Sequence, residues 1–277
     1  MSHRCIPRPV LHCGMWRSLS RLVVLAVSMA PLSAMAGASP VPLFQDSFEA
    51  SCGALLYVES FDTDASVWPL PWLELADSAE VADVVAGEAR LRPVPSGNPY
   101  PLARMAADVS TTDVDVRFRL RMDDASRSGV GFYVRQNGGH MLNTVPHGSG
   151  YAVFVEGTFT GRPGVGLWRE EDGIETLFAH SDTSPVPAVD PQSGVDYEVR
   201  YQVRQVDAAT TALRARVWPS GDAEPVAWHV EATSTQFDLQ GISGGIAIDS
   251  WDSNPGSITP AHTFVDNIEV RELCEVF

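Results

Sequence analysis

Asp113-Val-Asp-Val-Arg-Phe-Arg-Leu-Arg-Met122 alternates charge and hydrophobe without a break. A helix would scatter Val114, Val116, Phe118, Leu120 and Met122 around its circumference. A strand puts all five on one face and Asp113, Asp115, Arg117, Arg119 and Arg121 on the other. The segment therefore reads as a half-buried strand with one ionic face. The same reading extends outward on both sides. Gly129-Val-Gly-Phe-Tyr-Val-Arg135, Tyr151-Ala-Val-Phe-Val-Glu156 and Val165-Gly-Leu-Trp-Arg169 follow the period of two. So do Tyr197 to Arg204, Ala212 to Trp218, Pro225 to Val230, Gly244 to Asp249 and Thr263 to Val270. Turn signals lie between them: Gln136-Asn-Gly-Gly139, Glu171-Asp-Gly173, Pro219-Ser-Gly-Asp222 and Ser253-Asn-Pro-Gly256. Leu73 to Val85 reads as strand, loop, strand rather than as a helix, because of its Val and Asp content. The expected architecture is all-β, an antiparallel β-sandwich, as a single domain over residues 55–277.

What precedes the sandwich has a different composition. Arg4, Arg8, Arg17 and Arg21 give a basic leader with no acidic residue, followed by the short apolar run Leu22 to Met29. That run is too short to span a bilayer, and Ala34-Met-Ala36 fits a small-residue cleavage site. Residues 1–36 are read as a cleaved signal peptide and 37–54 as a lead-in, so the protein is expected to be exported. A cut after Ala38, a start at Met15 and an uncleaved anchor are the rival readings. The chain carries 19 basic and 35 acidic residues. Removing the four leader arginines leaves 15 against 35. A surface so negative argues against nucleic acid and anionic membrane as partners and is compatible with Ca²⁺. Of the four cysteines, Cys5 and Cys13 leave with the leader. Cys52 and Cys274 remain at the two ends of the domain and are expected to form a disulfide, since an exported pair has one intramolecular pairing.

The order of segments resembles a family. Ser60-Phe-Asp62 with Trp68 opens it; Gly129 to Arg135 and Tyr151 to Val155 form its middle. Leu167-Trp-Arg169, Asp172-Gly173 and Thr176-Leu177 follow, then Tyr197 to Arg200, Leu213 to Trp218, Glu224-Pro225 and Trp228. Phe264 to Val270 closes it. Over Leu55 to Val270 this is similar to the laminin-G-like, concanavalin-type jelly rolls of secreted bacterial and phage structural proteins. The resemblance implies a jelly roll, but its members bind sugars, adhere, or cleave glycans, so fold does not give function.

Catalytic signals are absent from the expected places. A retaining glycosidase needs two carboxylates about 5 Å apart. Laminarinase-like jelly rolls carry them in a Glu-x-Asp-x-(x)-Glu strand, which this chain lacks. Asp113 and Asp115 read instead as part of an ion-pair ladder with Arg117, Arg119, Arg121 and the charged residues at Glu198, Arg200, Arg204, Arg214 and Arg216. There is no Gly-x-Ser-x-Gly elbow. His140, His147, His180, His229 and His262 lack metal-ligand spacing, and read as solvated residues rather than zinc ligands. Calcium is the metal expected, held by Asp62 and Asp64 at the opening and Asp266 at the close, because hard cations take oxygen ligands and the first and last strands of this fold pair.

A sugar needs a flat aromatic surface and planar polar groups. Trp228 alternates with Val226 and Val230 and is expected in the core. Trp168 opposes Val165 and Leu167 in phase, and Tyr133 and Arg135 oppose Val130, Phe132 and Val134. Tyr133, Arg135, Phe154, Glu156 and Trp168 are therefore expected on one sheet face, as a surface for polysaccharide or glycan. The leading expectation is a non-catalytic carbohydrate-binding module. A surface structural or adhesion protein with a protein partner is the alternative, as is a glycoside hydrolase or lyase with a non-standard site. Oligomeric state is not legible.

Overall fold

The computed structural model describes residues 53–74, 82–94, 101–139, 145–186, 188–254 and 259–273. The leader, Cys52, Cys274 and His140 lie outside them. Among the described residues there is no α-helix, and every strand pairing is antiparallel. The strands are β1 (Leu55–Glu59), β2 (Leu73–Glu74), β3 (Ala82–Val85), β4 (Glu88–Leu91), β5 (Leu102–Thr111), β6 (Val114–Met122), β7 (Ser128–Asn137) and β8 (Ser149–Glu156). After them come β9 (Gly164–Glu171), β10 (Ile174–His180), β11 (Asp196–Asp207), β12 (Thr210–Pro219), β13 (Val230–Ser234), β14 (Gly244–Asp252) and β15 (Thr263–Glu272).

They form two sheets. The first runs β13-β12-β11-β6-β15-β4-β3, with β1 also pairing β15; the second runs β10-β9-β8-β7-β14-β5-β2. The strand from Val114 to Met122 is buried on alternate residues throughout, as its sequence requires. Its apolar face meets the second sheet. Phe118 stacks on Phe132 with centroids 5.0 Å apart, flanked by Val116, Leu120, Val153, Leu167, Val199, Tyr201 and Ile248, all in one core cluster. Burying each such side chain stabilises the fold by about 1.5–3 kcal/mol. The turn Asp172-Gly173 closes the β9–β10 hairpin with both residues at positive φ, 49° and 77°. That is the two-residue turn whose twist matches the strands, and it favours glycine at its second position.

Two segments depart from the alternation. Pro225 to His229 is loop, not strand, and β13 begins only at Val230. Val226 is 97% exposed. Trp228 is half-buried and lies on the outer face of the first sheet, with the Arg216, Arg214 and Arg200 guanidinia 4.1, 4.5 and 5.6 Å from its ring. Trp228 is thus not core; the period of two there was coincidental. The other is β5, whose Ala-rich sequence alternates weakly yet runs the length of the second sheet between β14 and β2.

The first and last strands pair, with Leu55 opposite Arg271 and Glu59 opposite Ile268. The acidic residues expected to share calcium are split between tasks. Asp64 accepts the Gly87 N–H at 3.1 Å, Asp62 accepts the Ser60 hydroxyl at 2.7 Å, and Asp266 is ion-paired with Arg119. Burial raises the Asp266 carboxyl, with Glu88 and Asp62 adding to the shift. Among the described residues no group of three or more His, Cys, Asp or Glu is placed to hold a metal.

Candidate functional site

The outward-facing side of the second sheet is built by the residues that the core does not use. Register fixes its rows. Ala106, Ala247, Tyr133, Ala152, Trp168 and Leu177 are successive cross-strand neighbours from β5 to β10. The adjacent row is Arg104, Asp249, Gly131, Phe154 and Gly166, and the next is Leu102, Trp251, Gly129, Glu156 and Gly164. Gly and Ala alternate with long side chains along these rows, and the long side chains fold over the small ones. A Cβ at Gly129 would run into Trp251, and one at Gly131 into Asp249 and Phe154.

This face is concave. Arg104 on β5 and Glu170 on β9 are four strand steps apart, roughly 19 Å along a flat sheet. Their side chains reach only roughly 7 and 5 Å from Cα. Yet Arg104 Nη2 donates to Glu170 Oε2 at 2.9 Å, with both side chains fully buried. The sheet therefore curls around the pair.

Five residues make the centre of the hollow. The Arg104 guanidinium lies 4.2 Å from the centroid of the Tyr133 ring. The Tyr133 hydroxyl is hydrogen-bonded to Glu175 and, at 2.9 Å, to Asp249 Oδ2. A phenol has one proton to give, so with two carboxyl partners one of these must itself carry a proton and donate it to the phenol oxygen. Burial, reinforced by the Glu175 charge, pushes the Asp249 pKa up to about 8. Burial also raises Glu175. Tyr133 stands well above its usual value through burial and the Asp249 and Glu175 charges. Burial alone would lower Arg104, but the groups around it, Tyr133, Glu170 and Asp249 among them, reverse that. The second oxygen of Asp249, Oδ1, is buried and has no hydrogen-bond partner.

Aromatic side chains continue the surface toward β10 and β14. Trp168 stacks on Phe154 at 4.8 Å and 21°. Phe154 packs against Tyr133 at 5.7 Å and Trp251 at 5.1 Å. Trp168 is half-buried, and Phe154 and Tyr133 are buried. At this end a second polar group gathers around Gly166, whose absent Cβ would touch both Trp168 Nε1 and His180 Cδ2 at 3.0 Å. His180 Nε2 faces Glu156 Oε2 at 3.4 Å and its Nδ1 faces Asp182 at 2.9 Å. Burial lowers the His180 pKa, but Glu156 and Asp182 outweigh it and hold it raised. Trp168 Nε1, His180 Nε2 and Glu156 Oε2 are each buried without a hydrogen bond. His180 also borders a cleft of about 380 Å³ at the sheet edge, shared with Thr183, Val186, Trp228 and Glu231.

Of the five residues expected on one face, Tyr133, Phe154, Glu156 and Trp168 are there. Arg135 is not. It follows Val134 at a bulge, with φ 52°, and its buried side chain enters the interior instead. There it donates to the Thr112 carbonyl at 2.8 Å, Gln205 at 3.0 Å and the Leu239 carbonyl at 3.2 Å, and pairs with Asp113 at 3.2 Å. Tyr133 is not an exposed platform; it is the buried pivot of the central cluster. Arg104, Glu175 and Asp249 were not anticipated. Asp249 had a signal, since it opposes Ile246 and Ile248 in phase, as did Glu170 beside Trp168.

No protein-family model matches this chain, and no curated protein does. Solved structures do. An alginate lyase in complex with alginate tetrasaccharide superposes with a TM-score of 0.54 at 14% identity, over 82% of this chain and 100% of that one. A protein of unknown function with a galectin-like fold from Bacillus subtilis gives 0.52 at 10% identity, over 79% and 96%. The carbohydrate recognition domain of Emp47p gives 0.51 at 12% identity, over 78% and 95%. The likeness is of fold: an all-β jelly-roll sandwich of the concanavalin-like kind.

Proposed function

We propose that this is an exported carbohydrate-binding protein that takes a glycan on the concave face of its second sheet, without cleaving it. One observation carries the reading. Trp168, at the open side of that face, offers a ring stacked on Phe154 and a buried indole N–H with no hydrogen-bond partner, and beside it His180 Nε2 and Glu156 Oε2 face each other as an ion pair at 3.4 Å, outside hydrogen-bond geometry. A buried donor or acceptor left unpaired costs about 1–3 kcal/mol. A donor held open at that cost, with an ion pair beside it and an aromatic plane next to it, matches the hydroxyls and apolar ring face of a sugar. The basic leader ending at Ala34-Met-Ala36 supports export. Printed descriptions of structural neighbours, an alginate complex and a carbohydrate recognition domain among them, agree with this class of ligand.

The test is a glycan screen followed by titration calorimetry. Trp168→Ala should abolish the binding that the wild type shows, and Trp228→Phe should leave it intact. Equal loss in both, or no glycan bound by the wild type, would reject the reading.

A second reading, glycoside cleavage, has one observation in its favour. Glu175 and Asp249 both reach the Tyr133 hydroxyl, so their oxygens are within about 6 Å of each other, two hydrogen-bond lengths, and one of the pair is protonated at neutral pH. That bound is compatible with the roughly 5 Å separation of two carboxyl groups, one of them protonated, that a retaining glycosidase needs. Against it, Tyr133 fills the space in which a glycosidic oxygen would have to sit. Release of reducing ends from any bound glycan, lost in Glu175→Gln, would establish it.

A further inference from the structure

The charges at the centre of the concave face do not balance. Glu170, Glu175 and Asp249 converge there; with one of Glu175 and Asp249 carrying a proton, two negative charges face the cation in contact with them, Arg104. Arg104 is already engaged: its charge is met by Glu170 at 2.9 Å and its flat side lies on Tyr133. An arriving anion would find Nε and Nη1 of that guanidinium without hydrogen-bond partners, but its charge already met by Glu170 and two further carboxyl groups facing it. An arriving cation finds Glu175, which is only half-buried and so reachable, and Asp249 Oδ1, an acceptor on a side chain 2% exposed that nothing satisfies. Glu175 pairs across β9 with Glu170, two residues along the strand from the Leu177–Trp168 pair. One pleat repeat is about 7 Å, so a sugar ring lying on Trp168 puts a ring substituent within reach of Glu175. The stacked Trp168 and Phe154 rings would also hold a cation by their negative faces.

We infer that the acidic centre of this face receives a protonated amine, so that the glycan bound there is an amino-sugar polymer and not a polyuronate. The inference rests on the glycan-binding reading above and names the substrate class of that site. The overall charge works in the same direction. A chain with 35 acidic and 19 basic residues repels a polyanion on approach and attracts a polycation.

Three oligosaccharides of matched length separate the possibilities by calorimetry: de-N-acetylated chito-oligosaccharide, its N-acetylated counterpart, and an alginate oligosaccharide. The de-N-acetylated form should bind about ten-fold tighter than the acetylated one, the worth of one charge-assisted hydrogen bond. Added salt should narrow that ratio, and alginate should not bind. Glu175→Gln, checked for folding by its melting curve, should remove the preference for the amine while keeping the affinity for the acetylated form. Glu175→Ala is the second variant should Glu175→Gln melt early. Glu198→Gln takes the same charge from the outer face of the first sheet and should change nothing. If Glu198→Gln weakens the amine as much as Glu175→Gln does, the attraction is diffuse and the inference falls. It falls also if the acetylated or alginate oligomer binds as tightly, with glycan binding itself then upheld. Equal affinity for spermine would make the centre a general cation site and overturn the sugar assignment. Failure of all three oligomers, with other glycans bound through Trp168, refutes the amine and leaves the face a glycan site. A protein that binds no glycan at all loses both.

Discussion

The two outer faces of the sandwich use the same ion pair in opposite ways. On the first sheet, Arg121 with Glu88, Arg200 with Asp115 and Arg117 with Glu224 stand partly in water. On the second, Arg104 with Glu170 is sealed at 0% exposure on both sides. Solvated pairs are worth about 0–1 kcal/mol and can be lost singly. A buried pair adds little net stability, yet breaking it strands a charge where water cannot reach it. The first face is therefore tolerant of substitution, and the second is specified. That specification at a cost, on the face that also carries the stacked Trp168 and Phe154, is what the proposed glycan site rests on.

The largest effect should come from Arg104→Ala, which leaves Glu170 buried without its cation. A loss of about 3–5 kcal/mol in urea unfolding is expected, against less than about 1 kcal/mol for Arg121→Ala. Similar values for the two would erase the distinction between the faces. Next, Gly129→Ala drives a Cβ into the Trp251 ring and should cost about 1–3 kcal/mol by overpacking.

Asp249→Asn sharpens the contrast through pH. Its folded pKa of about 8 lies above the ordinary 3.8, so between those values the folded state binds more protons than the unfolded one. Stability from this group is thus full below about pH 4 and declines as pH rises toward about 8. Wild type should lose more stability than Asp249→Asn between about pH 5 and about pH 8. Parallel curves would mean that Asp249 is already ionised. The smallest expected change is Trp168→Ala, at about 1–2 kcal/mol, since the half-buried ring gives up its stacking on Phe154 and only part of its surface burial. Trp251→Ala, more deeply buried, should cost about 3–5 kcal/mol.

Much of this was legible because a strand records its two environments in alternate letters. The ladder Asp113 to Met122 reported both faces of the first sheet, and the phase of Trp168 against Leu167 reported the second. Where one letter class serves both sides, the record fails. Leu102-Ala-Arg-Met-Ala-Ala107 hides β5 because Ala fits the floor of the hollow as well as the core, and Arg104, its most consequential residue, was not singled out. Val226 and Trp228 failed oppositely: alternation without a sheet beneath it. Arg135 was lost to a bulge, which shifts the parity of everything beyond it and has no letter of its own. The central cluster joins five strands that are neighbours only in the folded sheet, so no spacing in the chain announces it.

The pairing of β1 with β15 has a mechanical consequence. The strands run antiparallel with their outer ends together: Glu272 donates its N–H to the Ala54 carbonyl at 2.9 Å, and Leu55 lies opposite Arg271. A pull applied at the two ends of the domain meets these hydrogen bonds one at a time, as a zipper does, and each yields at low force. Cys52 and Cys274 lie just outside that first bond in the chain. Joined, they would carry the load before any hydrogen bond felt it, and a domain that peels under light tension would become one that transmits it. Single-molecule extension with and without reductant reads the difference directly.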